Sequence, residues 1–95
     1  MRRPQWPKKN EVFLAQLRSG HCHALAAYKA LVDPSADSTC PRCQEEPETV
    51  VHLLRDCAAT ELYRLETFGT VSPSLAILAE DPEAVAAFAE KIHLL

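Results

Sequence analysis

Apolar residues along this chain recur at helical spacing almost throughout, and turn-forming residues cut the recurrence into six segments. Residues 1–9 hold two prolines, four basic side chains and Trp6, and read as an arm or linker. Asn10 is placed to cap a helix from Glu11, with Phe13, Leu14 and Leu17 on one face and Gly20 as its stop. A second helix is predicted from Cys22 to Val32, its inward stripe being Leu25, Tyr28, Leu31 and Val32. The turn-rich run DPSADST follows. Thr49 then caps a third helix through Cys57, with Val50, Leu53 and Leu54 as its apolar face. Thr60 opens a fourth with Leu62, Leu65 and Phe68 inward, ended by Gly69. Ser72-Pro73 begins a short fifth with Leu75, Leu78 and Ala79 inward. Asp81-Pro82-Glu83 combines a cap, a proline at the first helical position and an acid at the positive end of the helix dipole. The last helix that it starts carries Val85, Phe88, Ala89 and Ile92 as its stripe. The pattern is that of a mainly α fold: a helical domain over residues 10–69 and a helical tail, 70–95, packing on it.

Between the second and third helices lies a different signal. Cys40, Cys43, His52 and Cys57 are spaced C-x2-C-x8-H-x4-C. Three thiolates and an imidazole make a closed tetrahedral set of the kind a structural zinc ion takes, with no position left for a reactive water. One zinc ion is therefore the expected cofactor, held by a short knuckle on one side and a helix on the other. Chains of this length draw part of their stability from such a cross-link. Backbone N–H groups of the knuckle are expected to point at the sulfurs. His52 and Cys57 are five residues apart, and on an ideal α-helix they would point about 140° away from each other. Either Cys57 sits at a frayed end or the helix tightens there, and the helix is expected to stop near Asp56. Two disulfides are the alternative use of four cysteines, but they give His52 no role. Cys22, between His21 and His23, lacks further ligands at suitable spacing and is read as a buried or free thiol.

Charge divides the chain. Residues 1–32 hold six basic side chains against one acid, and residues 33–95 hold four against twelve. Two readings stand: a basic front that meets phosphate, or ordinary solvated surface. The candidates for nucleic-acid contact are Arg2, Arg3, Trp6, Lys8, Lys9, Arg18 and Arg42. Trp6 would stack on a base, or else pack back on the first helix. Arg42 would reach out from the knuckle to phosphate, or else stay solvated. There is no apolar run of the length that spans a membrane and no secretory signal, so an intracellular setting, nuclear or cytoplasmic, is expected. No nucleophile or carboxylate constellation suggests catalysis, and the chain by itself is not expected to be an enzyme.

The runs QLRSGHC, ALAAYKALVD and STCPRCQEEPETVVHLLRDCAA together resemble the zinc-binding segment near the carboxy end of non-LTR retrotransposon reverse transcriptases. In that family a turn of the form LR-T/S-GH precedes C-P-x-C, a Glu-Thr pair, His and Cys. The matching residues are Leu17, Arg18, Ser19, Gly20, His21, Cys40, Pro41, Cys43, Glu48, Thr49, His52 and Cys57, and the likeness covers about residues 11–60. It implies an accessory module of a larger polymerase polyprotein, in contact with template RNA or target DNA; the partners expected of this chain are RNA or single-stranded DNA and neighbouring domains of the larger protein. The knuckles of retroviral nucleocapsid proteins are shorter between the second Cys and the His, and more basic. The alternative is a module for protein contacts, in which zinc only holds the fold and the last helix docks on a neighbouring domain or a second copy.

Overall fold

The structure is a computed structural model and describes residues 8–95. Five α-helices appear: α1 (Lys8–Ser19), α2 (Ala26–Val32), α3 (Glu61–Phe68), α4 (Ile77–Glu80) and α5 (Pro82–Lys91). A five-residue π turn, His52–Asp56, and a 3-10 turn, Ala58–Thr60, stand between α2 and α3. Among the described residues the one β-type pairing is an isolated bridge between Thr39 and Pro47, which closes the knuckle loop.

Helix α1 includes Lys8 and Lys9, which the proline-rich composition assigned to the arm. Asn10 is thus not its cap. It lies within the helix, buried, and its Oδ1 has no hydrogen-bond partner among the described residues. At the other end Gly20 stops α1 as expected. It takes a left-handed conformation, φ 79°, so that its N–H reaches Leu17 O (3.2 Å) while His21 N–H reaches Gln16 O (3.0 Å). This pair of bonds is the Schellman arrangement, and a side chain at Gly20 would strain it.

Helix α5 occupies the centre of the fold, against α1, α3 and α4. Val85, Phe88, Ala89 and Ile92 are all buried in one cluster with Phe13, Leu14 and Leu17 of α1 and Leu53 and Leu54 of the π turn. Asp81 caps it, its carboxylate accepting from Ala84 N–H (3.1 Å), and Pro82 is the first helical residue. The segment read as a tail thus shares its core with the residues read as the main domain.

Two helices differ from their predicted faces. Helix α2 begins at Ala26, not Cys22, because residues 21–25 form a separate turn: Gln16 Oε1 holds His23 N–H (3.1 Å) and Cys22 O accepts from Leu25 N–H (3.1 Å). That turn seats Cys22 and Leu25 in the core, and the free end of α2 extends outward, leaving Leu31 76 % exposed and Val32 exposed. Helix α3 turns Leu62 (73 % exposed) and Leu65 to solvent and buries Arg64 instead, with Phe68 half-buried against Phe88 (ring centroids 5.4 Å apart). Gly69, φ 76°, ends α3 as predicted, its N–H bonding Leu65 O (3.0 Å). In the α4 region Leu78 is buried, whereas Leu75 and Ala79 are exposed.

Candidate metal centre

The knuckle is a tight loop because three backbone bonds close it. Gln44 N–H bonds Cys40 O (2.8 Å), Cys40 N–H bonds Glu46 O (2.7 Å) and Glu48 N–H bonds Ser38 O (2.9 Å). The loop turns at Gln44, whose φ of 58° is in the left-handed region. Within it the N–H groups of Cys43 and Arg42 point at the Cys40 sulfur, and those of Glu45 and Glu46 at the Cys43 sulfur. The Glu45 N–H foremost, with Glu46, His52 and Cys40, draws the Cys43 thiol down to about 7. Burial, by contrast, pushes the Cys40 thiol up.

The other two ligands come from one short helical stretch. Thr49 caps it as predicted, its hydroxyl accepting from His52 N–H (3.1 Å). Past Val51 the turn widens into the π form, and Cys57 N–H bonds His52 O (2.8 Å), five residues back. Cys57 stands just past the helix end, in an extended conformation, while the alternative of a tightened helix is corrected: the turn widens. An i→i+5 turn brings residues five apart back over one another, which an α turn cannot do. The H-x4-C spacing is thus the sequence form of a π turn, and the turn ends at Asp56. Replacing Thr49 by Ala should cost about 1 kcal/mol of stability. Urea unfolding would show it.

Cys40, Cys43, His52 and Cys57 place their four donor atoms within 4.8 Å of one another. The Cys40 and Cys57 sulfurs are 3.9 Å apart, and His52 Nε2 is 3.3 Å from the Cys43 sulfur. A tetrahedral ion with metal–sulfur bonds of about 2.3 Å requires sulfur–sulfur edges of about 3.8 Å, so the donor set fits such an ion. A disulfide requires about 2.05 Å, and none of the four cysteines is paired. Cys40 and Cys57 are 0 % exposed, His52 is buried and Cys43 half-buried. His52 presents Nε2 to the ligand set. Its buried Nδ1 makes no hydrogen bond among the described residues and faces Glu46 Oε1 at 3.5 Å. That is the outward side on which metal-bound imidazoles commonly meet a carboxylate.

Two charged residues that the sequence reading gave no buried role surround this centre. The Glu48 carboxylate is 2 % exposed, accepts from Ala26 N–H (2.8 Å) at the start of α2 and pairs with Arg42. Arg42 also donates to Ile92 O (3.2 Å) just past α5, so it turns inward and ties knuckle, α2 and α5 together. Arg64, from α3, lies beneath the π turn. The first was marked by its place in the Glu-Thr pair beside the cap Thr49, without a buried role, and nothing in the local pattern marked the second.

The remaining candidates are scattered. Arg2, Arg3 and Trp6 lie outside the described residues. Lys8 and Lys9 are exposed on the first turn of α1. Arg18 hydrogen-bonds Leu78 O through Nε (3.3 Å) and Nη2 (2.9 Å), joining α1 to α4. Cys22 is buried, with its thiol pushed up chiefly by that burial, while His21 and His23 are exposed and flank the Tyr28 ring. These three do not form a second site.

The fold and the site together define a compact, mainly helical domain with a Cys3His cluster suited to a metal ion. Compared with family models, curated proteins and solved structures, the chain matches none. No described helix is long and apolar enough to cross a membrane.

Proposed function

We propose that this chain is a zinc-stabilised accessory module of a reverse transcriptase-like retroelement protein, without catalysis of its own, and that it contacts RNA or single-stranded DNA through its basic amino-terminal segment. The observation that carries the structural role of zinc is the burial of a closed Cys3His set at the joint between knuckle and helix. What supports the retroelement reading is that three of the residues shared with that motif hold the site's surroundings together. Gly20 ends α1, Glu48 holds α2 to the knuckle, and Thr49 caps the turn that presents His52.

Arg18 and Arg42 are engaged internally, so phosphate contact falls to Arg2, Arg3, Lys8 and Lys9, with Trp6 among them. Four such contacts predict that the logarithm of the binding constant for a single-stranded RNA falls with the logarithm of salt at a slope of about −3. Fluorescence anisotropy of a labelled oligonucleotide across a salt series measures it. No binding at low salt, or binding insensitive to salt, would rule out the nucleic-acid contact.

A second reading, a module for protein contacts, is favoured by the outward-facing Leu31, Val32 and Leu62. The last helix does not serve it in the way first expected, because its apolar stripe is buried. Under this reading the zinc-loaded protein ignores RNA at every salt concentration.

A further inference from the structure

Arg64 is a buried cation with no carboxylate partner among the described residues. It is 1 % exposed. Its Nη1 donates to Cys57 O (2.8 Å), Thr60 Oγ1 (2.8 Å) and Leu53 O (3.4 Å), and its Nε to Val71 O. All four acceptors are neutral. The ion pairs found among the described residues, Arg42 with Glu48 and His52 with Glu46, leave it out. A guanidinium cannot shed its proton to relieve burial, and an unbalanced buried charge is costly. Its chain neighbours Asp56 and Glu61 are both exposed.

The metal centre has the opposite imbalance. Three thiolates and a divalent ion leave one net negative charge, and two of the three sulfurs are wholly buried. One of those two belongs to Cys57, whose carbonyl Arg64 already holds. We propose that Arg64 is the counter-cation of the Cys3His centre: it balances the excess negative charge of the three thiolates and, by gripping Leu53 O and Cys57 O, positions the end of the π turn that presents Cys57. The assignment rests on the zinc reading of the cluster.

Arg42, the other inward-facing arginine near the ligands, is not available for this role, because Glu48 already neutralises it. The bonds Arg64 makes to carbonyls explain its position but not its charge, since a neutral donor would satisfy them. The charge itself is what the metal centre accounts for.

The test compares Arg64→Lys with Arg64→Gln in the full chain, by zinc affinity in competition with a chelating dye and by helicity. Both substitutions remove the planar fork, and only Lys keeps the charge. The Lys variant is expected to bind zinc about tenfold or more tightly than the Gln variant. The comparison is then repeated with Cys43→His, at the half-buried ligand position, where the resulting Cys2His2 centre carries no net charge. There the difference between Lys and Gln should vanish. Equal affinities with the native ligands, or an undiminished difference at the neutral centre, would overturn the proposal. If Arg64→Gln fails to fold even in excess zinc, Cys43→His must restore its helicity, and no restoration overturns the proposal equally. Failure of the unmutated chain to bind zinc is a distinct result, which removes the zinc reading itself.

Discussion

Chelation of zinc should unfold this protein. The far-UV helical signal is expected to collapse when a strong chelator is added and to return when zinc is restored in excess. Binding a structural zinc contributes on the order of 10–16 kcal/mol at neutral pH, as much as or more than the roughly 5–15 kcal/mol by which whole domains are stable. The geometry makes the loss global. Leu53 and Leu54 of the π turn belong to the same buried cluster as Phe13 of α1 and Phe88 of α5. Releasing His52 and Cys57 therefore withdraws part of the core as well as the knuckle. Replacing Cys57 by Ser should have the same result in the presence of zinc. A chelated protein that keeps its helicity and a cooperative thermal transition would refute the expectation.

The dependence on pH follows with its sign. A metal ion in this centre requires three thiolates, and protons compete with it for the sulfurs, so zinc-linked stability falls as pH falls. The ligands do not contribute alike. Cys43, drawn down from 9.0 to about 7, favours folding above its unfolded value, and that contribution is lost as pH drops through about 7. Cys40, pushed up by burial, retains its proton more tenaciously, and the metal must displace it.

Glu48→Ala should be strongly destabilising although Glu48 is not a ligand, on the order of 3 kcal/mol. The side chain is 2 % exposed, and its loss has two simultaneous effects. The N–H of Ala26 at the start of α2 loses its acceptor, and Arg42 is left partly buried without an anion. Glu48→Gln should be milder, because an amide oxygen can still receive the Ala26 N–H. Urea unfolding with saturating zinc measures both, and the double variant with Arg42→Ala should lose less than the sum of the single losses. A change below about 0.5 kcal/mol for Glu48→Ala, the range of ordinary surface substitutions, would refute the role given to the pair.

What was legible in the sequence was local. The ligand spacing, the Thr49 and Asp81 caps, the stops at Gly20 and Gly69 and the stripe of α5 all depend on a few neighbouring residues, and all hold in the structure. What was not legible depends on partners distant in the chain. The leucines of α3 face outward because Arg64 is required beneath the π turn, where the carbonyls of Leu53 and Cys57 need donors. A helix of two turns follows whichever side chain is most strongly held, and here that is the arginine. Helix α2 likewise starts where Glu48 reaches it, twenty-two residues along the chain. A hydrophobic count favours leucines as inward residues and cannot anticipate a buried charge whose partners lie elsewhere.

The π turn also bears on how this chain tolerates change in length. It accommodates one residue more than an α turn would need to align two ligands. Deleting any one of residues 53–56 would leave a histidine and a cysteine at the i, i+4 spacing of an ordinary helix, still able to face one ion. Because the extra residue is spent on widening the turn, the chain beyond Cys57, Arg64 included, would keep nearly the same bearing to the ligand pair. The extra residue is therefore absorbed within the turn itself, and a loss of one residue between His52 and Cys57 is the change in length that the helices after it should tolerate best.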